Sequence, residues 1–141
     1  MATKTALKNI QPGKAHAKTP LILIVEDDQT YARIYQIKLS QEGFRVTPAA
    51  DGNQALEVIK REKPDLILLD LIMPGKDGFE TLKELKADAN YKDIPVIAFS
   101  NVGQDEDIGR AKQLGIVDYL VKTNLSVQEM VEKVKEHLHK A

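Results

Sequence analysis

Residues 66–78 read LILLDLIMPGKDG, and this stretch decides the fold of the chain. Its four consecutive apolar residues, Leu66 to Leu69, are too few for a helix and predict a strand that is buried on both faces. The run ends at Asp70. Because an unpaired charge is costly in a protein core, we expect this carboxylate at the rim of the sheet. The Pro and Gly residues that follow predict a turn beside it.

The composition limits the class of protein. With 141 residues, of which 43% are hydrophobic and 29% charged, the chain suits one compact globular domain rather than a disordered segment. No apolar run approaches the ~20 residues of a membrane-spanning helix, and the N-terminus lacks the apolar part of a secretory signal. We therefore expect a cytoplasmic protein without membrane insertion. The absence of cysteine excludes disulfides, thiolate catalysis and cysteine-ligated metal sites.

Charge is distributed unevenly along the chain. Of its 20 basic and 21 acidic residues, four lysines and no acid lie in residues 1–20, which leaves 16 basic and 21 acidic residues in the remainder. Residues 1–19 show no sustained periodicity and predict a flexible basic extension, whereas residues 20–141 predict one domain. Because that domain is mildly acidic, we expect no nucleic-acid partner.

Five short apolar or alternating runs predict β-strands, and amphipathic stretches after each of them predict helices. The predicted strands are Leu21 to Val25, Phe44 to Thr47, Leu66 to Leu69, Val96 to Phe99 and Val117 to Val121. The predicted helices are Gln29 to Gln41, a segment with Ala55, Leu56 and Ile59 that Pro64 terminates, a segment with Phe79, Leu82 and Leu85, residues 105–114, and a last helix that begins at a capping box of Ser126 and Glu129. Because strands and helices alternate, we expect an α/β fold, a doubly wound five-stranded parallel sheet with helices on both faces. The half-polar strand Phe44 to Thr47 belongs at an edge of that sheet.

Polar side chains follow the predicted strands at the points where the strands end. In open parallel sheets, ligands bind beyond the carboxyl ends of the strands, so these side chains should share one crevice. They are Glu26, Asp27, Asp70, Ser100 and Lys122. His137 and His139 lie two residues apart on the last predicted helix, so they cannot share a face as metal ligands, and we expect them to be solvated.

The three carboxylates of this crevice repel one another unless protons or a metal neutralise them. Mg²⁺ is the best candidate because it takes oxygen ligands and commonly shares its shell with phosphate oxygens. A carboxylate beside Mg²⁺ can attack phosphorus and form an acyl phosphate. Lys122 can then act as a point charge on the new phosphate, and the Ser100 hydroxyl can donate to another oxygen. The strand ends therefore predict phosphoryl transfer.

Four short motifs carry a resemblance to a known family. They are VEDD at residues 25–28, LLDLIMPGKDG at 68–78, FSN at 99–101 and YLVK at 119–122. Together they resemble the receiver domain of bacterial two-component response regulators, in particular the single-domain members that resemble the chemotaxis regulator. The resemblance covers about residues 20–141. It implies the flavodoxin-like strand order 2-1-3-4-5.

The resemblance also implies a role for each residue that matches a family position. Glu26 and Asp27 match the acidic pair that holds Mg²⁺, Asp70 matches the aspartate phosphorylated by a histidine kinase, Ile72 matches the residue whose carbonyl binds the metal, Ser100 matches the switch hydroxyl, Tyr119 the aromatic switch and Lys122 the phosphate-binding lysine.

Thr123 departs from the family pattern, which usually has proline after the lysine, often with a cis peptide bond. A cis bond before threonine costs ~2.5 to 4 kcal/mol. The Lys122–Thr123 peptide is therefore expected to be either trans, with a shifted loop, or strained.

The resemblance implies phosphorelay signal transduction rather than an enzyme acting on a separate substrate, with only Mg²⁺-dependent self-phosphorylation and autodephosphorylation. The implied partners are a histidine kinase or phosphotransfer protein and a downstream output protein, and the implied state is a monomer or a phosphorylation-dependent dimer. One alternative is an aspartate-nucleophile phosphohydrolase. Such enzymes usually carry a second acid two residues after the nucleophile, where this chain has Ile72. The other alternative is a receiver-like scaffold that is never phosphorylated.

Overall fold

The computed structural model describes residues 19–73, 77–101 and 105–140, without the side chains of the last two of these. Five parallel strands alternate with five helices in these residues. Their order is β1 Leu21–Val25, α1 Gln29–Gln41, β2 Arg45–Ala49, α2 Gly52–Arg61, β3 Leu66–Leu69, α3 Gly78–Ala87, β4 Val96–Ser100, α4 Asp105–Gln113, β5 Asp118–Val121, a 3-10 turn Lys122–Asn124, and α5 Val127–Lys140. The strands form one sheet in the order β2-β1-β3-β4-β5, which confirms the predicted fold class and strand order.

The core consists of two layers, one on each face of the sheet. Strands β1, β3 and β4 are buried at every position, as their uninterrupted apolar runs predict. One layer lies under α1 and α5 and includes Tyr35, Leu39, Met130, Val131 and Val134. The opposite layer lies under α2, α3 and α4 and includes Ala55, Ile59, Phe79, Leu82, Leu85 and Ala111.

Side-chain caps determine where several helices begin. The Asp28 carboxylate accepts hydrogen bonds from the amides of Thr30 and Tyr31 at the start of α1, at 2.9 and 3.3 Å. At the start of α5, the Ser126 amide donates to Glu129 at 2.8 Å and the Glu129 amide donates to Ser126 Oγ at 3.1 Å. The predicted capping box is therefore confirmed.

The two edge strands and β4 differ from their predicted bounds by one or two residues. The strand predicted at Phe44 to Thr47 begins one residue later and continues to Ala49, and β5 begins at Asp118 instead of Val117. Edge strands are half exposed, so their apolar pattern defines their ends poorly. Ser100 forms the last residue of β4 rather than following it.

The expectation that His137 is solvated is wrong. His137 is 9% exposed, and its Nε2 lies 3.0 Å from Oδ2 of Asp118 at the start of β5. The last turns of α5 pack against the sheet, and Asp118 provides the polar partner that makes burial of an imidazole tolerable. The side chain of His139 lies outside the described part of the chain.

The Lys122–Thr123 peptide is trans, and Lys122–Asn124 form a 3-10 turn. Of the two geometries expected for this departure from the family pattern, the chain adopts the trans one. Within the described residues, no helix is long and apolar enough to cross a membrane. The predicted N-terminal extension up to residue 18 lies outside the described residues, as do Pro74 and Gly75 of the predicted turn.

Candidate functional site

Three carboxylates meet at the carboxyl edge of the sheet, as predicted. Glu26 and Asp27 follow β1, Asp70 follows β3, and these two strands are hydrogen-bonded neighbours. Each of the three offers an oxygen within 4.8 Å of the oxygens of the others. Glu26 and Asp70 are buried and Asp27 is exposed, so the cluster opens to solvent on one side. Backbone hydrogen bonds fix both strand ends, from the Glu26 amide to the Ala49 carbonyl at 3.0 Å and from the Asp70 amide to the Val25 carbonyl at 2.9 Å.

The Lys122 side chain reaches this cluster from the end of β5. Its Nζ donates to Oδ2 of Asp70 at 3.3 Å and also to Oε1 of Glu26. Burial alone would lower the pKa of Lys122, but the hydrogen bond with Glu26 and the nearby charge of Asp70 outweigh it, and the net pKa is raised. The ammonium therefore keeps its charge between two carboxylates.

Glu26 has a strongly perturbed acidity. Burial raises its pKa from 4.5 to about 7, and the charge of Asp70 adds to this effect. Hydrogen bonds from Lys122 and from the Asp28 amide act in the opposite direction without cancelling it. The site therefore favours any cation that reduces the repulsion among its carboxylates.

The two carboxylate oxygens of Asp70 have different partners. Oδ1 accepts a hydrogen bond from the Ile72 amide at 3.0 Å, and Oδ2 faces Lys122. The Ile72 side chain is 52% exposed and lies at the rim of the site. The backbone that carries Asp70 packs directly on Gly78, where an added Cβ would overlap the Asp70 carbonyl oxygen and the Leu71 Cα. Only glycine fits at this contact.

A cavity of about 240 Å³ opens over these groups. It brings together all the predicted site residues except Tyr119. Its lining consists of Glu26, Asp27, Asp28, Tyr31, Asp70, Ile72, Ser100, Asn101 and Lys122. Tyr31, in the first turn of α1, was not among the predicted site residues. The one signal in the sequence was an aromatic residue in the first turn after the acidic strand end.

Tyr119 lies beside the cavity and contacts it through Ser100. Ser100 is buried, and its side chain hydrogen bonds with the phenol of Tyr119. Burial raises the pKa of Tyr119, and this hydrogen bond partly offsets the increase. Tyr119 is half-buried and packs against the core layer under α2, α3 and α4. The two predicted switch residues are thus in direct contact.

The donor set of the cluster fits Mg²⁺. Mg²⁺ takes oxygen ligands and usually binds through one or two carboxylates together with water and phosphate oxygens. Glu26, Asp27 and Asp70 supply only oxygen atoms, from one exposed and two buried side chains. Among the described residues that line this cavity there is no histidine or cysteine, the side chains that Zn²⁺ prefers.

Comparison with known proteins identifies the family. The family model described as the response regulator receiver domain matches residues 22–135. A putative response regulator from Chloroflexus aurantiacus J-10-fl has 32% sequence identity and a TM-score of 0.80, and the match covers 86% of this chain and 99% of that chain. The phosphorylated cyanobacterial phytochrome response regulator RcpA has 32% identity and a TM-score of 0.72, with 84% of this chain and 90% of that chain covered. The Mn²⁺-bound form of response regulator Rcp1 has 28% identity and a TM-score of 0.72, with 83% and 90% covered. This chain therefore belongs to the receiver domain family of two-component response regulators.

Proposed function

We propose that this protein is a phosphorelay switch in which Asp70 accepts a phosphoryl group from a histidine kinase or phosphotransfer protein in the presence of Mg²⁺. The observation that carries the proposal is the cluster of Glu26, Asp27 and Asp70 within 4.8 Å, with the Lys122 ammonium 3.3 Å from Asp70. A nucleophilic carboxylate, oxygen ligands for a hard cation and a phosphate-binding charge thus occupy one cavity.

The transfer step follows from these positions. A carboxylate oxygen of Asp70 attacks the phosphorus atom of a phosphohistidine, a P–O bond forms, and the P–N bond breaks as the imidazole leaves and takes up a proton. The Lys122 ammonium then neutralises charge on the phosphoryl oxygens, and the Ser100 hydroxyl donates to one of them. Glu26, Asp27, Asp70 and the Ile72 carbonyl would hold Mg²⁺. When bound, Mg²⁺ supplies positive charge against the phosphoryl oxygens.

The output step uses the contact between Ser100 and Tyr119. When Asp70 carries a phosphoryl group, Ser100 moves toward it and Tyr119 turns further inward. The exposed faces of α4, β5 and α5 then change together and form the surface that a downstream output protein binds. This coupling requires that Ser100 interacts more strongly with the phosphorylated site than with the unmodified one.

Two relatives support the proposed phosphorylation and the proposed metal binding. The structure of RcpA is of a phosphorylated response regulator, and that of Rcp1 is of an Mn²⁺-bound one.

We further propose that residues 20–141 form the receiver domain behind a flexible basic extension of residues 1–19. The working state is a cytoplasmic monomer or a phosphorylation-dependent dimer.

Incubation with acetyl phosphate, with and without Mg²⁺, tests the proposal by intact mass. We expect a Mg²⁺-dependent gain of one phosphoryl group in the parent and none in Asp70→Asn, whose amide is nearly isosteric but not nucleophilic. Continuous turnover of acetyl phosphate without a persistent adduct would favour the phosphohydrolase. The absence of any reaction would favour the scaffold, and undiminished labelling of the variant would place the acceptor elsewhere.

A further inference from the structure

The Lys122 side chain contacts Asp70 although one strand lies between the strands that precede the two residues. Lys122 follows β5 at the edge of the sheet, Asp70 follows β3, and β4 lies between them. Adjacent strands lie roughly 4.8 Å apart, so about 10 Å separates the backbones of β3 and β5, and the lysine stem must be extended toward Asp70 for the two side chains to meet. A lysine side chain has a flexible four-carbon stem, so it needs neighbours that hold it in one extended geometry.

Two aromatic rings approach the ammonium along this path. Nζ of Lys122 lies 4.6 Å from the ring centroid of Tyr31 and 5.5 Å from that of Phe99. Both distances fall within the range of a cation–π interaction. The Lys122 side chain is only 2% exposed, so little water competes for its charge. The ammonium therefore interacts with two carboxylates and two aromatic rings.

The rings themselves are held in place by packing. Tyr31 stacks on Tyr35 with centroids 5.7 Å apart and planes inclined by 23°. Tyr35 in turn packs against Phe99 with centroids 4.8 Å apart. Tyr35 and Phe99 are buried, so the ring of Tyr31 rests on a rigid base that connects α1 to β4.

The ring of Tyr31 has a different environment from its two neighbours. Tyr35 and Phe99 are buried in the core layer under α1 and α5, whereas Tyr31 is half-buried, packs against that layer and also lines the cavity over Asp70. Core packing accounts for the other two rings, but the Tyr31 ring also contacts the cavity and the ammonium. The turn that begins at Lys122 has Thr123 where proline is usual in this family.

We infer that Tyr31 is a positioning residue for Lys122: its ring, supported by Tyr35 and Phe99, keeps the ammonium aimed at Asp70. The inference rests on the proposed function. Glu26 is both a partner of Lys122 and a candidate metal ligand, so a cation bound there weakens its hold on the lysine. Tyr31 is not one of the three clustered carboxylates, so its ring contact with Lys122 does not depend on a group that the cation would take up.

Substitution of Tyr31 tests the inference. In saturating Mg²⁺, Tyr31→Leu should phosphorylate about five- to thirty-fold more slowly with acetyl phosphate, as expected for loss of one partly desolvated cation–π contact. Tyr31→Phe should recover most of this rate because it restores the ring without the hydroxyl. The Mg²⁺ concentration at half-maximal rate should change little in either variant. Tyr91→Leu provides the matched control, since Tyr91 is half-buried on the opposite face of the sheet.

A second readout does not require phosphorylation. With ¹³C-labelled lysine, the ε-methylene protons of Lys122 should show a ring-current shift in the parent and in Tyr31→Phe, and a smaller one in Tyr31→Leu, where only Phe99 contributes. If Tyr31→Leu fails to fold, phenylalanine and its fluorinated analogues can be placed at position 31, where they keep the volume of the ring. Each fluorine weakens the negative potential of the ring face, so the phosphorylation rate should fall with each added fluorine. A Leu variant as fast as the parent, a Phe variant as slow as Leu, or a rate that does not respond to fluorination would overturn the inference. If the parent is not phosphorylated at all, the proposed function fails, and the ring-current shift still shows whether the Tyr31 ring lies against Lys122.

Discussion

Nζ of Lys122 lies 3.3 Å from Oδ2 of Asp70, although β4 separates the strands that carry the two residues. The same Nζ contacts Glu26, so the lysine connects the ends of β1, β3 and β5. A charge in this position can respond to a change at either carboxylate.

Asp27→Asn should weaken Mg²⁺ binding by at least about ten-fold, because it removes one of the three negative charges that a hard cation requires here. Titration of the variant with Mg²⁺, followed by amide chemical shifts, measures the change. Asp51→Asn makes the same change of charge at the cap of α2, away from the cavity, and should bind Mg²⁺ like the parent. Equal affinity in Asp27→Asn would contradict the assignment of this residue to the metal.

Mg²⁺ affinity should rise with pH until it levels off above about pH 7. The folded protein raises the pKa of Glu26 from 4.5 to about 7, so this carboxyl holds its proton below neutrality and a cation must displace it. Between about pH 8 and 5.5 the affinity should fall by roughly thirty-fold from this group alone. Calorimetric titration at several pH values measures it.

Glu26→Gln should flatten this pH dependence and bind Mg²⁺ weakly throughout. The same raised pKa makes the native state hold more protons than the unfolded state between pH 4.5 and about 7, so the contribution of Glu26 to stability declines as pH rises through that interval. A parental pH dependence in Glu26→Gln would mean that another group titrates.

Ser100→Ala should leave phosphorylation of Asp70 largely intact but uncouple it from the α4–β5 surface, because the alanine cannot hydrogen bond with Tyr119 or the phosphoryl group. Amide chemical shifts of residues 105–125, with and without a beryllofluoride phosphoryl mimic, report the response. It should shrink by at least about half relative to the parent. Ser100→Thr keeps the hydroxyl and should respond like the parent. A full response in the alanine variant would refute the coupling.

Gly78→Ala should lower the free energy of unfolding by at least about 2 kcal/mol, since its Cβ would overlap backbone atoms of Asp70 and Leu71 that have no room to move. Because that backbone carries Asp70, the proposed acceptor, phosphorylation should slow as well. Gly109→Ala is the matched control. Nothing lies within 4 Å of a Cβ added in that helix, and the change should stabilise the protein by about 0.5 to 1 kcal/mol. Denaturant unfolding of both variants measures the difference, and equal stabilities would contradict the close contact.

The elements with strong local signals were predicted best. The bounds of β1, α1 and β3 agree with the sequence prediction because an apolar run or a helical stripe between clear stop signals is a property of neighbouring residues. The half-exposed strands β2 and β5 have weaker patterns, and their ends shifted accordingly. Fold class followed from the alternation of strands and helices, since parallel strands need a crossover between them.

The environments of individual side chains were predicted less well. His137 is buried because Asp118, 19 residues earlier in the chain, lies beneath it. Tyr31 contacts the ammonium of Lys122, which extends from the edge strand β5, 91 residues later in the chain. The local sequence around His137 or Tyr31 does not identify these partners. Helical periodicity indicates which residues share a face of the helix but not which distant residues pack against that face.

The sequence by itself determined which groups stand at the strand ends and, through the parallel topology, that Glu26, Asp27, Asp70, Ser100 and Lys122 lie at one edge of the sheet. Only the tertiary structure decided the distances among them: the contact of Lys122 with Asp70 across 52 residues of chain, the hydrogen bond of Ser100 with Tyr119 and the ring of Tyr31 against the ammonium. The physical reason is that strand order depends on local pattern and chain connectivity. Side-chain contacts, by contrast, depend on how separate elements pack, and the cost of burying charge selects the arrangement in which each charged group finds a partner.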